Sequence, residues 1–222
     1  MKKHKAVILA AGYGKRMLPL TNNTPKPLLP DIDNSLLKKQ INFLKLFDLD
    51  ISVTIGFQKE KMLKALKQYG IEDFIYSEDK GNAYWLNKIE INDKNSPVIV
   101  ITSDNLMKIN INSLVKEYYT QGEKSLIVAT QTSEGIHDTL EINDNNEILS
   151  MNYKKPIGKI ASGLQILNTL DLKNESSDFD DFHEVWSILI NKKKLKVSEI
   201  KPEKWISVDT VSDLNKLQSI NS

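Results

Sequence analysis

The chain contains no cysteine. That excludes disulfides, thiolate zinc sites and a cysteine nucleophile, and it suits a reducing compartment. Excess charge of either sign is also missing. Thirty basic residues oppose twenty-nine acidic ones, a net charge of +1, so no long-range field gathers nucleic acid or an anionic membrane surface, and any basic site must be local. No segment approaches the roughly 20 apolar residues of a membrane span. The opening MKKHKAVILAAGYGKR places cations before an apolar run, as a signal peptide does, but the run is too short and glycine and cations interrupt it at once. The expectation is a soluble cytoplasmic protein. His4, His137 and His183 lie far apart, without the H-x-x-x-H spacing of a metal site. Repeats, linkers and low-complexity tracts are absent too, and 222 residues with 40% hydrophobic content suffice for one large α/β domain with a real core.

What is present centres on the stretch from Lys5 to Pro30, KAVILAAGYGKRMLPLTNNTPKPLLP. An unbroken apolar run from Ala6 to Ala11 ends in Gly12-Tyr13-Gly14. Lys15 and Arg16 follow, and Lys26 is held between Pro25 and Pro27. A parallel strand covered on both faces is continuously hydrophobic, and glycines at its carboxyl end let backbone N–H groups approach an anion. The pattern is a buried strand running into a phosphate loop, where open α/β sheets bind ligands. It is not a dinucleotide fingerprint, because Met17 occupies the third glycine position, and it lacks the Gly-Lys-Ser/Thr of a Walker A loop.

Strands and helices alternate through the first half. Apolar spacing predicts a helix over Ser35 to Asp48, a strand over Ile51 to Ile55, a helix over Glu60 to Tyr69, a strand over Phe74 to Tyr76 and a helix over Asn82 to Ile91. PVIVIT, ending at Thr102, is apolar throughout and predicts a central strand that delivers Ser103-Asp104-Asn105 to the same edge as the glycine loop. Later come a helix over Ile111 to Tyr119, a strand over Leu126 to Thr130, a hairpin in TLEINDNNEILSM, and a strand over Ile160 to Leu167. A helix over Asp181 to Asn191, strands over Leu195 to Ile200 and Trp205 to Val208, and a closing helix with a capping box at Thr210 and Asp213 complete the chain. Trp186, Phe182 and Leu189 read as a packed helix face, and Lys192 to Lys194 as cations complementing a helix carboxyl end.

The ordered segments AAG-x-G-x-R-M, P-L-T and P-K-P-L resemble the N-terminal signature of the sugar-1-phosphate nucleotidyltransferases, and the likeness extends over nearly the whole chain. It implies a Rossmann-like three-layer α/β/α domain with a mixed, mostly parallel central sheet. One domain over 1–222 is expected, with a nucleotide-binding half (1–125) and an acceptor-binding half (126–222). The implied partners are a nucleoside triphosphate and a phosphorylated small-molecule acceptor, with no nucleic acid and no membrane, and the implied cofactor is Mg²⁺.

In such a transfer a phosphate oxygen of the acceptor attacks the α-phosphorus and pyrophosphate leaves. A phosphate whose second pKa is about 6 is already anionic, so no general base is needed. The need is to suppress repulsion between polyanions. The resemblance assigns the triphosphate to the loop residues Ala10, Ala11, Gly12, Gly14 and Lys15 together with Arg16, and sets Lys26 over the reacting phosphate. Asp104 suits Mg²⁺, which takes a carboxylate or two with phosphate oxygens and water; its other reading is a turn cap after the strand. The family's second aspartate belongs to a W-x-D-V-G-T segment. Here Trp205-Ile206-Ser207-Val208-Asp209-Thr210 puts Ser207 at that place, so Asp209, on the same side of an extended chain, becomes the expected second ligand, its other reading being a helix N-terminal acid.

Weaker likenesses follow. Glu78 to Ala83 resembles the segment whose glycine backbone reads the base, implicating Gly81 and Asn82. Lys154-Lys155-Pro156 resembles E-K-P, implicating Lys155 in acceptor binding. Ala161-Ser162-Gly163 resembles the strand whose glycine, Gly163, lets the backbone approach the acceptor. The favoured acceptor is a sugar-1-phosphate. The alternatives are a phosphocholine-type cytidylyltransferase, which an aromatic cage of Tyr84, Trp85, Tyr153 or Trp186 would favour, and a non-catalytic nucleotide-binding relative.

Overall fold

A computed structural model describes residues 3–91, 97–131, 137–154, 158–175 and 178–220. Its centre is β1 (His4–Leu9), flanked in parallel by β2 (Leu49–Ile55) and β4 (Val98–Thr102). Ala6, Val7 and Ile8 have no solvent exposure, which is why this strand reads as an unbroken apolar run. Its side chains alternate all the same. Ala6 and Ile8 enter one core and Val7 the other; in β4, Ile99 and Ile101 join the first and Val98 and Val100 the second.

The main sheet is extended by β3 (Phe74–Tyr76), parallel to β2, and on the other side by β9 (Lys159–Leu167), antiparallel to β4 and to β6 (Ser125–Gln131), with β10 (Leu195–Val197) parallel to β6. The hairpin of β7 (His137–Ile142) and β8 (Ile148–Lys154) attaches through β9. The order β10-β6-β9-β4-β1-β2-β3 is mixed and mostly parallel, as expected. Helices α1 (Leu36–Leu44), α2 (Lys59–Tyr69) and α3 (Ile111–Thr120) bury Leu37, Ile41, Met62, Leu66, Leu114 and Tyr118 on one face. Helix α4 (Phe182–Asn191) buries Phe182, Val185, Trp186 and Leu189 on the other, bearing out the packed-face reading.

Three departures from the expected elements matter. First, the helix expected over Asn82 to Ile91 is only a 3₁₀ turn, Tyr84–Lys88. Its entry is tied sideways instead: Ala83 N donates to Asp180 O (2.8 Å), and Asn82 Oδ1 accepts from Phe182 N (2.9 Å). Second, β10 stops at Val197, because the Ser198 hydroxyl accepts from Ile200 N (3.0 Å) and turns the chain. Third, a strand that periodicity did not predict, β5 (Asn105–Lys108), pairs antiparallel with β11 (Lys204–Ser207) in a separate small sheet. Helix α5 (Val211–Ile220) then docks Leu214 and Leu217 with Val208 against Met17, Leu29 and Leu36, in a third cluster beneath the glycine loop. Among the described residues no helix is long and apolar enough to cross a membrane.

Candidate active site

The site forms where β1 and β4 end. Ser103 N donates to Leu9 O (3.1 Å), so the two loops leave the sheet side by side. The Ala10 N–H is committed to the Thr54 hydroxyl (2.9 Å), which leaves Ala11 and Gly12 as the turn's next backbone groups along the cavity. A Cβ at Gly12 would meet nothing within 4 Å. Gly14 is different: its φ of +63° lies in the left-handed region, and a Cβ there would stand 2.7 Å from Lys26 Cβ. Glycine therefore lets the loop fold down onto Lys26.

Lys26 opens a 3₁₀ turn, Lys26–Leu28, between its two prolines, with Leu28 N donating to Pro25 O (2.8 Å). Its side chain is 10% exposed, and Nζ reaches Asp104 Oδ2 at 2.6 Å and Asp209 Oδ1 at 3.1 Å. Arg16 Nη2 donates to the same Asp209 oxygen (2.8 Å) from a side chain 61% exposed. Solvent screens the arginine contact; it screens the lysine contacts far less.

Asp104 and Asp209, remote in sequence, are brought together by the unpredicted small sheet. Ser207 pairs with Asn105, and Val208 N donates to Asp104 O (3.0 Å), so the strand ends bearing the two carboxylates coincide. Ser207 does not replace an acid but steadies one, its hydroxyl donating to Asp209 Oδ2 (2.8 Å). Burial alone would push the Asp209 carboxyl up, but Lys26, the Ser207 hydroxyl and Arg16 outweigh it and hold it below the ordinary carboxylate range. Asp104 Oδ1 accepts from Asn105 Nδ2 (3.1 Å). The cap of α5 is separate. Thr210 N donates to Asp213 Oδ2 (2.9 Å) and Asp213 N to the Thr210 hydroxyl (3.3 Å), a reciprocal capping box that does not use Asp209 as its acceptor.

Two cavities meet at this cluster. One, of about 380 Å³, is lined by Ala10, Ala11, Gly12, Gly14, Lys15, Arg16, Lys26, Gly81, Asn82, Asp104 and Asp209 among others. The other, about 200 Å³, shares Arg16, Asn82, Asp104 and Asp209 and adds Gly163, Gln165, His137, Asp138, Trp186 and Trp205. All the expected loop, base and metal residues thus border one space. Lys155 lies outside the described residues.

Two glycines owe their identity to protein contacts. A Cβ at Gly81 would fall 2.1 Å from Asp180 O, and the Gly81 N–H, expected to read a base, donates to Asp180 Oδ1 (2.7 Å). A Cβ at Gly163, where φ is +85°, would fall 2.5 Å from the Thr102 hydroxyl and 2.6 Å from Asn105 Nδ2. Of the possible aromatic cage, Trp186 lines the smaller cavity and Trp85 the larger one, whereas Tyr84 borders a separate hollow beside Lys88. Trp205 joins Trp186 without having been anticipated in that role. Asp138 was missed altogether, since one acid in a short strand carries no signal before the hairpin folds over the sheet.

Residues 5–139 match the family model described as nucleotidyl transferase. The chain is 29% identical over 226 residues to a mannose-1-phosphate guanyltransferase of Pichia angusta, covering 94% of this chain but 62% of that protein. It is 29% identical over 235 residues to the choline-phosphate cytidylyltransferase of Streptococcus pneumoniae, covering 97% of each. Among solved structures, a putative glucose-1-phosphate thymidylyltransferase from Bacillus anthracis shares the fold with a TM-score of 0.79 at 18% identity, over 98% of this chain and 94% of that one. The CTP:phosphocholine cytidylyltransferase from Streptococcus pneumoniae superposes with a TM-score of 0.72 at 25% identity, over 99% and 100%.

Proposed function

Because the chain belongs to the nucleotidyl transferase family, we propose that it moves a nucleoside monophosphate from a nucleoside triphosphate to a phosphorylated small-molecule acceptor. An acceptor phosphate oxygen bonds to the α-phosphorus, the bond from that phosphorus to the α,β-bridging oxygen breaks, and pyrophosphate departs with the electron pair. The supporting observation is the cluster in which Lys26 Nζ lies 2.6 Å from Asp104 and 3.1 Å from Asp209, where the two cavities join.

Each residue has a role in charge compensation. Lys26, its stem fixed between prolines, neutralises the reacting phosphates, and Arg16 the outer triphosphate oxygens. Gly12 leaves room for phosphate beside the loop. Asp104 and Asp209 would hold Mg²⁺: two carboxylates suit an ion that completes its shell with phosphate oxygens and water, and no group of three or more possible ligands occurs among the described residues. Bound there, the ion would supply further stabilisation of charge on the phosphate oxygens.

For the acceptor, a sugar-1-phosphate has the support of the mannose-1-phosphate guanyltransferases, of which the chain spans 62% or less in the first matches. A phosphocholine-type acceptor has the support of a relative matched end to end and of one specific feature, the Trp186 and Trp205 side chains on the smaller cavity.

The test is pyrophosphate release with Mg²⁺, each common nucleoside triphosphate, and a panel of phosphorylated acceptors. Release that depends on both substrates is the expected result. Silence across the panel, together with no triphosphate binding by calorimetry, would sink the proposal and leave a non-catalytic relative.

A further inference from the structure

Helix α1 carries one polar side chain among those it buries. Leu36, Leu37, Gln40, Ile41 and Leu44 form that buried face, the stripe of a helix lying on a core, and Gln40 is 1% exposed. Packing alone would favour an aliphatic residue there, because a primary amide taken out of water is costly unless it is hydrogen-bonded. Gln40 is bonded. Its Nε2 donates to Thr102 O at 3.0 Å and to Asn105 O at 2.5 Å. Both hydrogens of the amide nitrogen are thereby spent on backbone carbonyls, which no aliphatic or ionised carboxylate side chain could satisfy.

The place of those carbonyls gives the bonds their meaning. Strand β4 ends at Thr102 and β5 begins at Asn105, so the amide brackets the two-residue turn Ser103-Asp104. Ser103 N on Leu9 O (3.1 Å) and Val208 N on Asp104 O (3.0 Å) pin the same turn to β1 and β11. Gln40 adds α1 as a third anchor. It lines neither cavity, so it acts on the site only through the aim of the Asp104 carboxylate. Without the amide, two shielded carbonyls would lack their donor, a cost that the chain relieves by shifting the turn. A shift of about 1 Å at a reacting centre can cost about 10²-fold in rate.

Resting on the assignment of Asp104 to Mg²⁺ above, we propose that Gln40 is a positioning residue: it staples the Ser103-Asp104 turn to α1, so that the Asp104 carboxylate meets the ion in the orientation that nucleotidyl transfer requires. The chain carries a trace of this role, a glutamine at an apolar position of the helical stripe in SLLKKQINFL.

The experiment compares the full wild-type chain with Gln40→Met, which keeps the length of the side chain and removes its donors, and with Leu44→Ala, which opens the same buried face one turn on without deleting a hydrogen bond. Mn²⁺ affinity, triphosphate affinity in EDTA, thermal midpoint and turnover are measured for each. Gln40→Met should bind Mn²⁺ about tenfold more weakly and lose about tenfold or more in kcat, the scale for partners that orient a metal ligand, with triphosphate affinity in EDTA unchanged. Leu44→Ala should lose as much or more in thermal midpoint and keep Mn²⁺ affinity and kcat within about twofold. A folded Gln40→Met with wild-type Mn²⁺ affinity and kcat overturns the inference and leaves the metal reading standing; so does a Leu44→Ala that loses as much in both. A wild-type chain that binds no Mn²⁺, with or without triphosphate, removes the metal reading and this inference with it. If Gln40→Met does not fold, NMR of the wild type decides. The Gln40 Nε2 protons should exchange slowly with solvent, and more slowly still with Mg²⁺, since a staple that favours the ion is favoured by it. Rapid exchange, or exchange indifferent to Mg²⁺, overturns the inference.

Discussion

Lys26 and Asp104 form the shortest ion pair of the site, Nζ to Oδ2 at 2.6 Å, and the same ammonium holds Asp209 at 3.1 Å. One lysine therefore occupies the place between two carboxylates that a divalent ion would take. An ion bound there would compete with the lysine for those oxygens, and a triphosphate that drew the ammonium away would favour the ion. Lys26→Met should leave two partly buried carboxylates facing each other and cost about 3 kcal/mol, the low end for a broken buried pair. Mn²⁺ should restore much of that stability and bind the free variant more tightly than the free wild type. Turnover should fall by about 10²-fold or more. Denaturation with and without Mn²⁺, and calorimetric titration, read these effects. Equal Mn²⁺ affinity in both proteins would refute the competition.

Two glycines of the larger cavity should respond oppositely to alanine. At Gly12 the added methyl meets nothing within 4 Å, so Gly12→Ala should fold with unchanged stability and lose triphosphate affinity by about tenfold as the methyl intrudes on the phosphates. At Gly81 the methyl would fall 2.1 Å from the Asp180 carbonyl, and Gly81→Ala should lose about 3 kcal/mol or more as that loop is forced aside. Thermal midpoints and nucleotide titrations separate the two. Normal triphosphate affinity in Gly12→Ala would argue against the cradle.

Asp209 and Asp213 stand four residues apart with different duties. Asp213→Ala should cost about 1 kcal/mol through the lost cap and leave turnover nearly unchanged. Asp209→Asn should reduce turnover by about 10²-fold, and Ser207→Ala, which removes one steadying hydrogen bond, only several-fold. Were Asp209 merely a helix N-terminal acid, its asparagine variant would instead lose about 0.3–1 kcal/mol of stability and keep its activity.

Asp138 should make the protein less stable as pH rises. Burial first, and then Asp181, push its carboxyl above the ordinary value of 3.8, against the lowering influence of His183 and His137. Through the window above that value the folded chain holds a proton that the unfolded chain has released, so ionisation costs the folded state. The thermal midpoint of Asp138→Asn should therefore gain on that of the wild type from pH 4 towards neutrality. Parallel curves would show that the site bears no such penalty.

Much of the scaffold was legible because burial imposes period and composition. A strand covered on both faces must be apolar at every position, and β1 and β4 are, so their shared edge could be read directly. Helices α1 to α4 each bury one face and show it in their spacing. The small sheet of β5 and β11 was not legible in the same way: its strands are four residues each and only partly buried, so neither period nor propensity marks β5. The abortive helix after Asn82 was misread because its spacing suits a helix, while hydrogen bonds to residues 180 and 182 compete for its first turn.

The linear chain by itself determined a buried strand that ends in a glycine loop, cations just beyond it, and an acid at the end of a second central strand. These depend on local conformation and on which faces are dry. Only the tertiary structure decided that Asp209 meets Asp104 across a short antiparallel pair, that Gly81 and Gly163 answer to neighbouring protein atoms, and that Asp138 closes an aromatic-lined cavity. Those are contacts between segments distant along the chain, set by how the sheet brings its edges together, and no residue type announces its distant neighbour.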